Sequence, residues 1–160
     1  MANKFQKMQL LYHLYKEKTG KMEVDMREVA KFAIANGWKL PAPTSPLDRL
    51  AKEFSQAARE EIRHDKNTGK PYRANHAISV KQGKTQLHLW IDIDEAPRNS
   101  IHKSLMARRE QMVGDGLQLT LDADHWNNIH PEDKPIIIPM DFTNDVLWRK
   151  NAPDEEEEAI

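Results

Sequence analysis

Between Pro97 and Pro131 no proline interrupts the chain, and Leu105, Met112, Leu119 and Trp126 recur there every seven residues. Met112, Val113, Gly116, Leu117 and Leu121 add a second apolar stripe at helical pitch. This spacing predicts one helix over about 99–127, roughly 43 Å long at ~1.5 Å per residue. Gly114 and Gly116 are the counter-signal: a break there would turn L-Q-L-T-L into a strand. In a continuous helix the two glycines become either points of close approach or weak spots. The seven-residue series either packs on the rest of the chain or lines a seam with a second copy. The expectation taken forward is a homodimer through Leu105, Met112, Leu119 and Trp126.

Upstream, the periodicity favours three shorter helices. Phe5, Met8, Leu11, Tyr12 and Tyr15 place an amphipathic helix over 4–18, ended by T-G-K. Asp25 followed by Glu28 reads as a capping box opening a helix over about 26–36, with Val29, Ala30, Ala33 and Ile34 inward and Gly37 as the stop. Ser45 and Pro46 form an N-cap and first-turn proline for a third helix over about 46–65, which would bury Leu47, Leu50, Ala51, Phe54, Ala57 or Ala58, and Ile62. Asn67-Thr68-Gly69 and Pro71 end it. A-N-H-A-I-S-V (74–80) and T-Q-L-H-L-W-I-D-I (85–93) then read as two strands. In the second, Leu87, Leu89, Ile91 and Ile93 share one face, while His88, Trp90 and Asp92 share the other. K-Q-G-K joins the strands as a hairpin loop.

The fold class expected is therefore α+β and mostly helical. Three segments are predicted: a domain over 1–95, a long helix and proline-rich arm over 96–150, and a disordered acidic tail over 151–160. The arm should carry a short β segment at Ile136–Ile138 and a short helix around 143–149.

Three helices followed by a hairpin with lysines at its base is an element order that resembles the winged helix-turn-helix superfamily, over residues 4–93. The resemblance implies duplex DNA as partner, the third helix in the major groove and the hairpin as the wing. The residues of that helix suit the role. Arg49, Lys52, Gln56, Arg59 and Arg63 follow one another at steps of three and four, one stripe opposite the apolar face. Cations at that pitch bridge phosphates, and arginine and glutamine read guanine and adenine edges. Lys66, Lys70 and Arg73 extend the basic character, and Lys81 and Lys84 sit where a wing meets the backbone. The plain alternative is a solvated face, with Arg49–Glu53 as an i, i+4 pair.

Charge distribution agrees with a polyanion partner. Residues 1–90 carry 17 Lys and Arg against 9 Asp and Glu, and residues 91–160 carry 7 against 16, although the chain as a whole is at −1. With no cysteine there is neither disulfide nor thiolate metal site. The N-terminus lacks the apolar block of a signal peptide, and no apolar run is long enough for a membrane span. The expected setting is cytoplasmic, with no cofactor and no metal.

Candidates for chemistry are weaker. Glu132-Asp133-Lys134 matches the E-x-K of metal-dependent nucleases, with Asp115, Asp122 or Asp124 as further ligands. Pro131 and Pro135 bracket it, however, where such residues normally sit on a rigid strand. His125 and His130 are five apart and do not share a helix face. The expectation is thus a non-enzymatic DNA-binding protein, either a transcriptional regulator or an accessory factor of a mobile-element or defence system. A Mg²⁺-dependent nuclease and a protein-interaction adaptor are the alternatives.

Overall fold

In the computed structural model, which describes residues 1–153, the chain is α+β. The element order is α1 (Lys4–Thr19), α2 (Met26–Ala35), α3 (Pro46–Glu60), β1 (Ile62–His64), β2 (Pro71–Arg73), β3 (Asn75–Gln82), β4 (Thr85–Asp92), α4 (Arg98–Ile129) and α5 (Thr143–Asn151). Two compact units divide it, Met1–Glu53 and Phe54–Ile160, and the division falls within α3. The acidic tail lies outside the described residues, apart from its first three.

Local chemistry accounts for the helix ends of the first unit. The Asn3 side chain accepts from the Gln6 N–H while the Gln6 side chain accepts from the Asn3 N–H, so two otherwise unpaired donors are satisfied reciprocally. Gly20 closes α1 in the left-handed conformation, at φ 67°. Asp25 caps α2 by accepting from the Arg27 N–H at 2.8 Å; Glu28 pairs instead with Lys31, also at 2.8 Å. The two helices meet where Tyr15 packs edge-on against Phe32, ring centroids 5.6 Å apart. Tyr15 is the buried side chain of this contact. Phe5, Met8, Tyr12, Val29, Ile34 and Trp38 line an apolar groove of about 490 Å³ beside it.

The third helix opens as expected, with the Asp48 N–H donating to Ser45 Oγ at 3.1 Å. It ends at Glu60 instead of about residue 65. Ile62–His64 pairs antiparallel with Pro71–Arg73, a second hairpin that propensity does not reveal in strands of three residues. Asp65 nucleates its turn by accepting from the Asn67 and Thr68 N–H groups, each at 2.9 Å. The predicted apolar face of α3 is not buried: Leu47 is 75% exposed and Phe54 69%.

The predicted β3–β4 hairpin forms, with Ala77 opposite Trp90 and Ser79 opposite His88, but Lys81 and Gln82 pair within it, so the turn is Gly83-Lys84 and not all of K-Q-G-K. Gly83, at φ 61°, fills the first central position of its two-residue turn, where a side chain would be strained. Leu87 and Leu89 stay exposed, while Ile91 and Ile93 are half-buried. The start of α4 lies along β3. There the buried Ser104 hydroxyl donates to the Ala77 carbonyl at 2.9 Å. Ser104, Ala74 and His76 are the buried residues of this unit among those described.

Residues 98–129 form one helix, about 48 Å long at ~1.5 Å per residue, and neither glycine breaks it. Gly116 is a point of close approach. A Cβ there would lie 2.7 Å from Met140 Cε, whereas nothing lies within 4 Å of one at Gly114. The proline-rich arm returns along α4, held where Asn127 donates to the Ile136 carbonyl and accepts from its N–H, both at 2.8 Å. No strand forms at Ile136–Ile138; the Asn127 amide takes the backbone groups that a neighbouring strand would have used.

Candidate nucleic-acid interface

The cations of the predicted stripe separate into two groups. Arg49, Lys52, Gln56 and Arg59 lie on α3 at helical spacing and are exposed. Among the described residues no carboxylate pairs with Arg49, Lys52 or Arg59, and the i, i+4 pair Arg49–Glu53 does not form. Gln56 bridges Arg59 and Glu60, accepting from the former at 3.0 Å and donating to the latter.

Arg63 is different, and its placement corrects the sequence reading. It lies on β1, not on the helix. Its guanidinium pairs with Asp92 at 2.8 Å, Asp94 at 2.9 Å and Glu61 at 3.2 Å. Three carboxylates around one guanidinium hold it firmly protonated, Asp92 contributing most, and their combined charge outweighs its own toward a phosphate. In return, the Arg63 hydrogen bond holds the Asp92 carboxyl below the usual aspartate range, helped by the Asp94 N–H. Tyr72 donates to Asp94 at 2.9 Å, so strands β1 and β2 both fasten to the turn after β4.

Of the remaining predicted contacts, the Lys70 ammonium donates to the Lys150 carbonyl at 2.6 Å, near the end of α5, where the helix dipole favours a cation. Lys66 sits in the β1–β2 turn, and Lys81 and Lys84 flank the tip of the β3–β4 hairpin, all exposed. Arg73, the last residue of β2, lines a cleft that sequence reading did not find. This cleft, of about 380 Å³, opens between the β3–β4 hairpin and α4. Arg59, Arg73, Lys103 and Arg108 line it together with His88 and Trp90, and among the described residues no Asp or Glu does. The Arg59 guanidinium stands 5.5 Å from the centroid of the Trp90 ring. A sequence signal existed: His88 and Trp90 alternate onto one strand face. What joins them to Lys103 and Arg108 is the docking of α4 on β3, which no local pattern encodes.

The E-x-K alternative is not assembled. Asp115, Asp122 and Asp124 are exposed on α4, with the Gln118 side chain donating to Asp122 at 2.9 Å, while Glu132 and Asp133 lie in the turn beyond. Among the described residues no three His, Asp or Glu side chains come together as a metal site. His130 stacks on Trp126, centroids 3.7 Å apart, and its Nδ1 faces the Trp126 carbonyl at 3.0 Å. These two residues close the end of α4.

No protein-family model matches the sequence, and comparison with curated proteins and with solved structures also finds no match.

Proposed function

We propose that the chain binds double-stranded DNA without chemistry of its own, as a transcriptional regulator or accessory factor acting in the cytoplasm as a homodimer. The third helix supplies Arg49, Lys52, Gln56 and Arg59 to the major groove, and Lys81 and Lys84 reach the backbone from the hairpin. The observation that carries this reading is the state of the α3 cations: Arg49, Lys52 and Arg59 are exposed at groove-compatible spacing, and among the described residues no carboxylate pairs with them. Surface cations of an ordinary solvated helix would find the acids at i, i+4 distance, Asp48 for Lys52 and Glu53 for Arg49. No helix of the described residues is long and apolar enough to cross a membrane.

The test is duplex binding by the intact protein across a salt titration. Affinity should fall steeply with salt, because each phosphate contact releases about one counterion. Arg49→Ala and Lys52→Ala should each lower the slope of log K against log salt by about 1. A salt-independent affinity, or slopes unchanged in both variants, would overturn the reading. Single-stranded DNA and duplex RNA serve as competitors. Preference for either over duplex DNA would also overturn it.

A further inference from the structure

The cleft between the β3–β4 hairpin and α4 holds chemistry that a duplex edge cannot use. Four cationic side chains line about 380 Å³ with no carboxylate among the described residues there, so the site attracts anions. Among its walls is an indole, Trp90, 36% exposed and approached by the Arg59 guanidinium. Aromatic rings flanked by arginine are platforms for a planar base, and stacking there is indifferent to base identity. Inorganic phosphate would satisfy the cations but leave the indole idle. A base paired within a duplex cannot leave its stack to reach Trp90 without the cost of unpairing. The Lys103 ammonium, donating to the Ser79 carbonyl at 3.5 Å, and the Ser79–His88 contact at 3.3 Å help shape the cleft. The volume falls at the small end of ligand pockets, about 300–1,000 Å³, room for one nucleotide and not for a helix.

We propose that this cleft receives one unpaired nucleotide of a DNA strand, its phosphate held by Arg73, Lys103 and Arg108 and its base stacked on Trp90. The proposal rests on the DNA-binding reading and narrows its target to duplexes that carry a single-stranded end or gap.

The experiment compares the intact protein on a blunt duplex, the same duplex with a short single-stranded overhang, and that overhang with its bases removed. The base-bearing overhang should bind about tenfold more tightly than the blunt end, and the abasic overhang should lose most of that gain. Trp90→Leu and Arg108→Gln should each abolish the gain, and Arg108→Gln should leave blunt-duplex affinity unchanged. Arg108, exposed on a helix, covers the case in which the hairpin does not tolerate the loss of Trp90. Equal binding of blunt and overhung duplexes would overturn the proposal, as would a gain that survives both variants or the removal of the bases. If no duplex binds at all, the DNA-binding reading fails by itself. The cleft is then judged on a 5′-phosphorylated oligonucleotide: binding that Arg108→Gln removes supports it, and no binding overturns it.

Discussion

Arg63 grips Asp92 through both guanidinium nitrogens, Nη1 to Oδ1 at 2.9 Å and Nη2 to Oδ2 at 2.8 Å. This fork fixes a three-residue strand that has little else to hold it, since β1 buries no side chain and pairs only with β2. The geometry is one that lysine cannot reproduce. Arg63→Ala and Arg63→Lys should therefore both lower Tm, by a few degrees in thermal melts, because the second hairpin loses its tie to the turn after β4. Neither should alter the salt slope of DNA binding, in contrast to Arg49→Ala. Equal salt slopes for the Arg63 and Arg49 variants would show that the guanidinium is free to meet a phosphate.

The same pair sets an acid limit. Folding lowers the Asp92 carboxyl below its unfolded range, chiefly through the Arg63 hydrogen bond. A carboxyl lowered on folding contributes stability above its unfolded pKa, about 3.9 for aspartate, and loses it as pH falls through the folded value. Tm of the wild type should thus be level in this respect above about pH 5 and drop more steeply than that of Asp92→Asn below about pH 4. Parallel Tm curves for the two proteins over that interval would refute the linkage.

How far the sequence announced this depended on the range of the interaction. The second and third helices and the β3–β4 hairpin were legible because their signals are local: Asp25 and Ser45 each cap within three residues, and Gly83 marks its turn. The length of α4 was legible from its seven-residue recurrence despite Gly114 and Gly116. The β1–β2 hairpin was not, because I-R-H is too short for alternation to register and its stability comes from carboxylates some thirty positions away. For the same reason Arg63 read as one more step of a helical stripe. The α3 stripe was visible as a period, while the cleft arises only when α4 docks on β3.

The two glycines of α4 should respond differently to alanine. Gly114 faces open space, so Gly114→Ala should raise stability by roughly 0.5–1 kcal/mol through the reduced backbone entropy of the unfolded chain. At Gly116 the new methyl would meet Met140 at 2.7 Å, and the thioether end of a flexible side chain must move aside. Gly116→Ala should accordingly gain less, or lose slightly, and Gly116→Leu should displace the arm. Denaturant melts of the three variants decide it; a larger gain at 116 than at 114 would contradict the contact.

Asn127 should control the arm. Its amide exchanges two hydrogen bonds with the Ile136 backbone, each worth about 1 kcal/mol net. Asn127→Leu leaves both backbone groups without these partners, and Asn127→Asp keeps only the acceptor. Both should increase amide exchange and proteolytic nicking across 131–142, with the loss graded Leu above Asp, while α4 helicity stays constant. Unchanged protection of Ile136 in Asn127→Leu would show that the prolines alone hold the arm.

Self-association should run through α4. The arm covers the line of Gly116, Thr120 and Asn127, with Thr120 Oγ1 at 3.9 Å from Met140 Sδ, and leaves the seven-residue series open. Leu105 is 40% exposed, Met112 53%, Leu119 48% and Trp126 45%. Apolar side chains left in water at this regular spacing on a helix of 32 residues favour a covering partner, with the exposed Arg108 and Asp115 interleaved among them. A second copy presents the matching series at the same pitch, so an isologous pairing covers both. Sedimentation equilibrium of the intact protein should show a dimer at micromolar concentration. Met112→Glu with Leu119→Glu should return it to a monomer of unchanged helicity and weaken duplex binding by roughly 10²-fold or more, since two linked modules bind more tightly than one. A wild type that stays monomeric, or a double variant that still pairs, would place the contact elsewhere.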